Sequence, residues 1–418
     1  MSFINNQSKL GYNTAGRSLA VSQSNKIPFI AGIICIVLVA ISLRPAIVSN
    51  GPLLPSIKLD FGLSHTMASM LITIPDLAMG ALAFPTPWLA RRYGRNRVVL
   101  LALVTLLIAI VSRTFSETVE VLLLTTLGVG AGIAIAGTLI ASFIKANFPQ
   151  KTAFMMSIYA AALGLGSTLA SAVSGPLADY LGSWRASSLS WAILCLVAIL
   201  GWLYIERGEA RLTSVQNNIN NPQRSLPLKS HKAWLIALFF AFNNLLFYAL
   251  LSWLVPMFVE KGLSTNATAL LLTIFTSCCM IASLLFGLIS RQEDRRLLLA
   301  LSAILVLTGI ILMTVGGSAI GPYLPVSLMA LGIGGGFSLG MTLPLDNTSD
   351  EDEAGNWTAF VLTIGYLIAA IGPIAVGFLR DLSGDYTISL WLLVIIAVAT
   401  LILVPFLAPR QLHIGVNK

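Results

Sequence analysis

The chain has 418 residues, of which 56% are hydrophobic and only 10% are charged, and its formal net charge is +8. Soluble domains carry about 25% charged residues, so this chain lacks the polar surface that a soluble enzyme, a nucleic-acid-binding protein or a disordered protein needs. Its mean hydropathy of +0.87 predicts a protein that crosses a membrane several times.

Apolar runs long enough to cross a bilayer, about 20 residues each, recur along the chain. After a polar tail at residues 1–26, six such runs fall near 27–54, 66–89, 98–115, 120–142, 153–175 and 186–205. A polar segment at 206–232 follows, and the next runs fall near 233–258, 267–289, 297–316, 322–345, 356–378 and 388–408, before a tail at 409–418. The runs are continuous and do not alternate in polarity, so they predict twelve transmembrane α-helices and not barrel strands.

Lysine and arginine residues concentrate on one side of these predicted helices. If residues 1–26 are cytoplasmic, all but six of the 25 Lys and Arg residues lie in cytoplasmic segments, and the six are Arg44, Lys58, Arg113, Arg185, Lys261 and Arg380. This bias is typical of cytoplasmic loops, so both termini are predicted to be cytoplasmic. The acidic stretch DNTSDEDE at 346–353 is placed on the same side, but acidic residues contribute little to topology. The basic charge therefore reflects orientation in the membrane, and no nucleic-acid partner is expected.

The two sets of six runs carry matching motifs. The fifth run ends in GPLADYLGSW from Gly175 and the eleventh ends in GFLRDLSGDY from Gly377, so that Gly, Asp and Gly recur at an offset of 202 residues. The segment 206–232 between the sets contains QNNINNPQ, which is the composition of a flexible cytoplasmic linker. The sequence thus predicts an all-α integral membrane protein with two six-helix bundles, 27–205 and 233–408, in parallel repeat, as in the major facilitator fold.

Several stretches of the sequence are distinctive. They are LRPAIVSNGPLLPSI from Leu43, ARRYGRNR from Ala90, FIKANFP from Phe143, FNNLLFYALLSWLVP from Phe242 and GIGGGFSLGMTLPLDN from Gly332. Together they resemble the bacterial cyanate/2-nitroimidazole transporter family within the major facilitator superfamily. The resemblance implies a secondary active transporter that moves a small-molecule substrate, a small anion such as cyanate, across the bacterial inner membrane by alternating access.

The loop between the second and third runs departs from the superfamily pattern. That pattern is G-x-L-A-D-R-x-G-R-K, and the aligned residues here are PWLARRYGRN, with Arg91 in place of the aspartate. The resemblance implies that the retained residues Arg92, Gly94 and Arg95 belong to a cytoplasmic gate loop. A latch of the usual kind lacks its acidic partner in this half.

Two charged residues lie well inside apolar runs, Arg44 in the first and Asp76 in the second. A charge at the bilayer centre costs about 2.5–3.5 kcal/mol on insertion scales, so such residues are expected to face a water-filled cavity or each other. The guanidinium of Arg44 suits a small delocalised anion, and the alternative is that it snorkels to the outer interface. Asp76 is the candidate proton-coupling residue; the alternatives are a pair with Arg44 and a silent role in a polar pocket between helices.

The seventh run supplies further candidate substrate-binding residues, Asn243, Asn244 and Tyr248. Asn244 and Tyr248 are one helical turn apart and therefore share a face. The alternative for the asparagines is that they only tie neighbouring helices together. Tyr366, in TIGY of the eleventh run, is a candidate of the same kind.

Other functions fit the residues less well. The principal alternative is a proton-coupled efflux pump for 2-nitroimidazole-like or other small toxic compounds. An integral-membrane enzyme would need acid–base or metal groups gathered near an interface, but every carboxylate except that of Asp76 falls at the end of a run or in a loop. A transport-dead sensor would need a signalling domain, and the chain offers no segment for one. We expect no cofactor or metal, membrane lipids as the surroundings, and a monomer.

Overall fold

The structure, a computed structural model, describes residues 29–63, 65–210, 226–290, 294–316 and 321–408. Throughout these ranges the chain is helical, with short turns and no β-strand. The predicted tails, 1–26 and 409–418, lie outside the described residues, as do residues 211–225 of the predicted linker.

The first half of the described chain contains ten α-helices, several of which are segments of one membrane span. In chain order they are α1 Phe29–Leu43, α2 Pro45–Val48, α3 Asn50–Phe61, α4 His65–Ala83, α5 Thr86–Tyr93, α6 Arg95–Thr114, α7 Val119–Asn147, α8 Thr152–Leu181, α9 Trp184–Ser190 and α10 Ala192–Ala210. A short 3₁₀ turn, Pro149–Lys151, leads into α8.

The second half contains seven α-helices within its described residues. They are α11 His231–Glu260, α12 Thr265–Ile289, α13 Arg296–Val315, α14 Tyr323–Asp346, α15 Glu351–Ala369, α16 Ile371–Ser383 and α17 Thr387–Leu403. A 3₁₀ turn, Val404–Leu407, follows α17.

These helices form twelve spans, as the sequence predicts. Eleven helical segments are individually long and apolar enough to cross a bilayer, and the twelfth span is a pair, Met70–Ala83 and Thr86–Tyr93, bent by 55°. Large apolar side chains such as Leu101, Ile108 and Ile395 are exposed around the bundle, where lipid would cover them. The predicted all-α fold with twelve membrane helices is therefore confirmed for the described residues.

The bend in the second span is a feature that hydropathy does not predict. The sequence predicts one continuous helix over 66–89, but α4 ends and α5 begins within that range. Pro85 and Pro87 flank Thr86, and neither proline has an N–H to donate, so the hydrogen-bond ladder is interrupted here. The hydroxyl of Thr86 donates to the Leu82 carbonyl at 2.7 Å and replaces a helix hydrogen bond at the break.

The two halves meet through close backbone contacts. Helix α8 of the first half packs along α12 of the second, and α4 packs along α15. A Cβ atom on Gly287 would overlap the Ser157 hydroxyl, and one on Gly164 would lie 2.7 Å from the Met280 Cβ. Small residues therefore set the distance between the halves, as they do between many membrane helices.

Candidate functional site

Arg44 lies at a break in the first span. Because Pro45 has no N–H, the carbonyl of Ile41 loses its helix partner, and α1 ends just before Arg44. Helix α8 comes close at this point, and a Cβ on Gly166 would overlap the Ile41 oxygen. The Arg44 residue is only 5% exposed, so its guanidinium lies inside the bundle and not at a lipid interface.

The guanidinium of Arg44 joins the two halves. Its Nη1 donates a hydrogen bond to the hydroxyl of Tyr248 in α11, at 2.6 Å. Its Cζ lies 5.8 Å from the ring centroids of Phe247, Tyr248 and Phe337. Aromatic faces attract cations at this distance, so rings of the second half help to stabilise the buried charge of the first.

A small cavity of about 40 Å³ lies beside Arg44, between the two halves. The residues that line it are Arg44, Ala160, Leu163, Gly164, Ser167, Asn243, Asn244, Phe247, Thr276, Cys279, Ser283, Ile333, Gly334 and Phe337. Of these described residues Arg44 alone is charged, and the other polar groups are neutral amides, hydroxyls and a thiol. The cavity is small, with room for only a few water-sized groups. The cavity therefore suits a small solute with negative charge.

The two predicted asparagines line this cavity and are held by backbone carbonyls. Asn243 Nδ2 donates to the Ile333 carbonyl of α14 at 3.2 Å, and Asn244 Nδ2 donates to the Phe240 carbonyl one turn earlier at 2.8 Å. Asn243 thus makes a helix-joining contact and also borders the cavity. The two roles considered for the asparagines are compatible in this geometry.

Tyr366 lies beside Arg44 but behind the cavity wall. Its ring packs edge-on against Tyr248 and Phe240, with centroid separations of 6.3 and 6.0 Å. It is within electrostatic range of Arg44, yet it is not one of the described residues that line the cavity. The structure therefore brings Tyr366 to the site as a neighbour of Tyr248 and not as part of the cavity surface.

Asp76, in α4, lies near Arg44 and Tyr248. It is fully buried, and its carboxylate lies within electrostatic range of the Arg44 guanidinium and the Tyr248 hydroxyl. Neither carboxylate oxygen makes a hydrogen bond of good geometry with another described residue. The two charges that the sequence places inside apolar runs are thus neighbours.

A third buried charge, Arg113, has no role in the sequence prediction. It lies in the last turn of α6 and is 1% exposed. Its Nη1 donates to the Ala46 carbonyl at 2.9 Å and to Asn50 Oδ1 at 3.0 Å, and its Nη2 donates to Thr126 Oγ1 at 3.0 Å. An arginine at the end of an apolar run usually extends to the membrane interface. Hydropathy therefore does not predict that Arg113 is buried. The polar residues Asn50 and Thr126 in other runs, which accept its hydrogen bonds, are the sequence signal for this burial.

Asn50 connects this arginine to α4. Its Nδ2 donates to the Leu71 carbonyl at 3.4 Å. That carbonyl has lost its helix partner because Pro75, four residues later, has no N–H. Arg113, Asn50 and the Leu71 carbonyl, which we call the outer network, therefore connect the break beside Arg44 with the segment that carries Asp76.

The predicted gate loop lies at the inner face, by which we mean the end of the bundle where α1 begins. Gly94, with a φ of +87°, ends α5 and precedes α6, and such a backbone conformation favours glycine. The guanidinium of Arg92 lies 5.5 Å from the ring centroid of Trp88, and that of Arg95 lies 5.1 Å from the ring of Phe143. These contacts hold the loop against its own half.

Two other basic residues of the first half reach the second half at the inner face. Arg91 Nη1 donates to Asn356 Oδ1 in α15 at 3.3 Å. Lys145 Nζ, at the end of α7, donates to the carbonyl of Leu345 at 2.7 Å and to that of Thr348 at 3.2 Å. Cations stabilise helix C-termini, where carbonyls lack partners and the helix dipole is negative. Lys145 therefore links the halves through the C-terminal end of α14.

The acidic stretch at 346–353 has a counterpart in this contact. Lys145 lies within electrostatic range of Asp346, Asp350 and Glu353. The acidic residues of this stretch, which contribute little to the predicted topology, thus lie close to a basic residue of the opposite half.

Comparisons with known proteins agree with this geometry. Residues 29–373 match the profile of the Major Facilitator Superfamily. The chain is 30% identical to the cyanate transport protein CynX of Escherichia coli (strain K12), over 85% of this chain and 91% of that protein. It is 27% identical to the 2-nitroimidazole transporter of the same organism, over 89% of this chain and 93% of that protein. The fold is similar to the solved structure of the proton:xylose symporter XylE bound to 6-bromo-6-deoxy-D-glucose, with a TM-score of 0.75 at 15% identity, over 89% of this chain and 94% of that one.

Proposed function

Because this chain belongs to the Major Facilitator Superfamily, it is a multi-pass membrane transporter and not an enzyme, and we propose that it carries a small anion by alternating access. The observation that supports this most directly is Arg44, the one charged residue among the described residues that line the cavity. A buried positive charge is costly in a membrane protein, and a negatively charged solute compensates it.

The guanidinium offers an anion hydrogen bonds as well as charge. It is planar and carries five N–H donors, of which the structure shows one donated to Tyr248. A delocalised anion accepts paired hydrogen bonds from such a fork. The amides of Asn243 and Asn244 border the same cavity from the second half, so solute bound at Arg44 contacts both halves. Cyanate, whose charge is spread along a short linear ion, matches this chemistry.

The aromatic part of the cavity favours a second solute class. Phe247 and Phe337 both line the cavity, and flat rings pack well against aromatic side chains. A nitro-substituted aromatic ring could therefore bind here, with its nitro oxygens accepting hydrogen bonds from Arg44. In this alternative the protein exports 2-nitroimidazole-like compounds. We place the anion first because a formal negative charge interacts with the guanidinium more strongly than the neutral nitro group does.

We further propose that the protein works as a monomer in the bacterial inner membrane with both termini in the cytoplasm. The cavity is complete within one chain, which supports a monomer. The concentration of Lys and Arg on the side of the inner face supports the orientation. On this proposal Arg91 and Lys145 link the halves on the cytoplasmic side.

The proposal is tested by solute uptake into proteoliposomes that contain the purified protein. We expect saturable uptake of radiolabelled cyanate above the level of empty liposomes, with competition by other small anions and none by bulky cations. Flux of 2-nitroimidazole is measured in the same vesicles. Cyanate uptake equal to that of empty liposomes, together with protein-dependent 2-nitroimidazole flux, would replace the anion proposal by the export alternative.

Loss of the Lys145 contacts is expected to open the inner face. The variant Lys145→Met removes two hydrogen bonds from an ammonium group to the end of α14. Hydrogen bonds to charged groups contribute about 1.5–3 kcal/mol, so the population with an open inner face should rise by about tenfold or more. The measurement is the maleimide labelling rate of Ser142→Cys, one turn deeper in α7, in detergent and without the four native cysteines. Ser142 is buried against Gly355 of the second half in this structure.

The control for this experiment is Lys145→Arg, which keeps a cation and its donors at the same position. It is expected to label at the rate of the unmodified protein. If Lys145→Met labels no faster than Lys145→Arg, the contact with α14 does not hold the inner face closed.

A further inference from the structure

Two serine hydroxyls that line the cavity have already donated their hydrogens. Ser167 Oγ donates to the Leu163 carbonyl at 3.0 Å, and Ser283 Oγ donates to the Gly334 carbonyl at 2.9 Å. A carbonyl oxygen can only accept a hydrogen bond, and a hydroxyl has a single hydrogen to donate. The direction of both bonds is therefore fixed, and each hydroxyl has only lone pairs left to offer a solute.

Asn244 adds a third acceptor to the same cavity. Its Nδ2 donates to the Phe240 carbonyl at 2.8 Å, which fixes the orientation of the amide and identifies the other atom as Oδ1. Within the described part of the chain no hydrogen bond is donated to this oxygen, although the residue is only 1% exposed. A buried amide oxygen without a donor is costly, so it favours a solute that supplies one.

The cavity therefore combines one cationic donor with several neutral acceptors. The guanidinium of Arg44 donates hydrogen bonds and accepts none. The acceptors come from both halves, Ser167 from α8, Asn244 from α11 and Ser283 from α12. An anion that carries no hydrogen, such as nitrate, pairs with Arg44 and leaves these acceptors without a donor.

The size of the cavity limits the solute further. A water-sized group needs about 10–15 Å³ of such volume, so a cavity of about 40 Å³ holds only a few of them. An ion as small as nitrate or bicarbonate is of this size.

We propose that the preferred solute is a small anion that also carries an O–H or N–H group, as bicarbonate and carbamate do. Its charge is bound at Arg44, and its hydrogen is donated to Asn244 Oδ1 or to a serine hydroxyl of the cavity. This inference rests on the proposed function, because it requires the anion to bind at Arg44. It narrows the solute class, since cyanate has no hydrogen to donate and then binds more weakly than bicarbonate.

The test compares bicarbonate with nitrate, because the two ions are isoelectronic, planar and equal in charge and differ by one O–H group. Each sodium salt is titrated into the purified protein in detergent at pH 8, in a closed calorimeter cell with matched buffers. We expect bicarbonate to bind about tenfold more tightly than nitrate, or better, as one well-placed hydrogen bond allows.

Two variants then assign this preference to the acceptors. Asn244→Leu keeps the size of the side chain and removes its oxygen, and the ratio of the two affinities should fall to about one. Ser167→Ala should lower the ratio by a smaller factor. The matched control is Ser302→Ala, because Ser302 is also buried and donates to a carbonyl of its own helix, that of Leu299, but does not line the cavity. Its ratio should equal that of the unmodified protein.

The outcomes separate this inference from the proposed function. If nitrate, or cyanate titrated in the same way, binds as tightly as bicarbonate, the requirement for a donor is overturned and the anion proposal stands. If bicarbonate is preferred equally in Asn244→Leu, Ser167→Ala and Ser302→Ala, the assignment to these acceptors is overturned. If the unmodified protein binds none of the three anions, both proposals are overturned.

Discussion

Cyanate uptake is expected to fall to the level of empty vesicles when Arg44 is replaced by alanine. The substitution removes the one charged group among the described residues that line the cavity, so no cation remains there to bind an anion. Hydrogen bonds to a charged group contribute about 1.5–3 kcal/mol each, and losing a pair of them should weaken binding by about a hundredfold or more. Uptake into proteoliposomes and equilibrium binding of radiolabelled cyanate measure the effect.

A further variant separates the charge of Arg44 from its shape. Arg44→Lys keeps the charge but loses the planar fork and the aromatic contacts that it makes, and should bind cyanate about tenfold more weakly. Full uptake by Arg44→Ala would show that the anion does not bind at this residue.

Substitutions in the outer network are expected to have the second large effect, a loss of protein stability. Asn50→Leu leaves the Arg113 charge buried with one fewer acceptor and leaves the Leu71 carbonyl without its donor. Removing a partner from a buried charged group is strongly destabilising, and we expect a loss of about 3 kcal/mol or more. Arg113→Met removes the charge together with its contacts and should cost less, about 1–3 kcal/mol. Thermal unfolding in detergent, with the same preparation for each variant, measures the order.

The double variant Asn50→Leu/Arg113→Met is the decisive comparison for this network. It should be more stable than Asn50→Leu alone, because the buried charge that lacks an acceptor is gone. If the double variant is instead less stable than either single variant, the network stabilises the fold by its hydrogen bonds, and the burial of the charge is not the dominant cost.

The number of spans follows from the sequence because bilayer thickness alone fixes the length of an apolar run. The bend in the second span does not follow so simply. Pro176 and Pro256 lie inside continuous helices of this structure, so a single proline does not predict a break. The difference at the bend is that Pro85 and Pro87 flank one residue, which interrupts two hydrogen bonds in the same turn.

The site was predictable in its charges and less so in its contacts. Arg44 and Asp76 stand out because ionisable residues are rare in apolar runs, and the structure places them within electrostatic range of each other. Their meeting with Tyr248 depends on helix packing between residues 204 positions apart, which one sequence does not encode in a local pattern. Arg113 lies near the end of its run, where hydropathy cannot distinguish an inward from an outward direction. The roles of all these residues in transport remain predictions.

The glycine contacts between α8 and α12 have a consequence for the rate of the proposed cycle. Ordering a long side chain costs up to about 2 kcal/mol in rotamer entropy, whereas glycine has no rotamers to order. Where Gly164 and Gly287 meet the opposite helix, the contact can be broken and remade at low entropic cost. The activation barrier of the exchange then comes mainly from enthalpy, through polar contacts such as those of Lys145 that must break. A turnover rate limited in this way rises steeply with temperature.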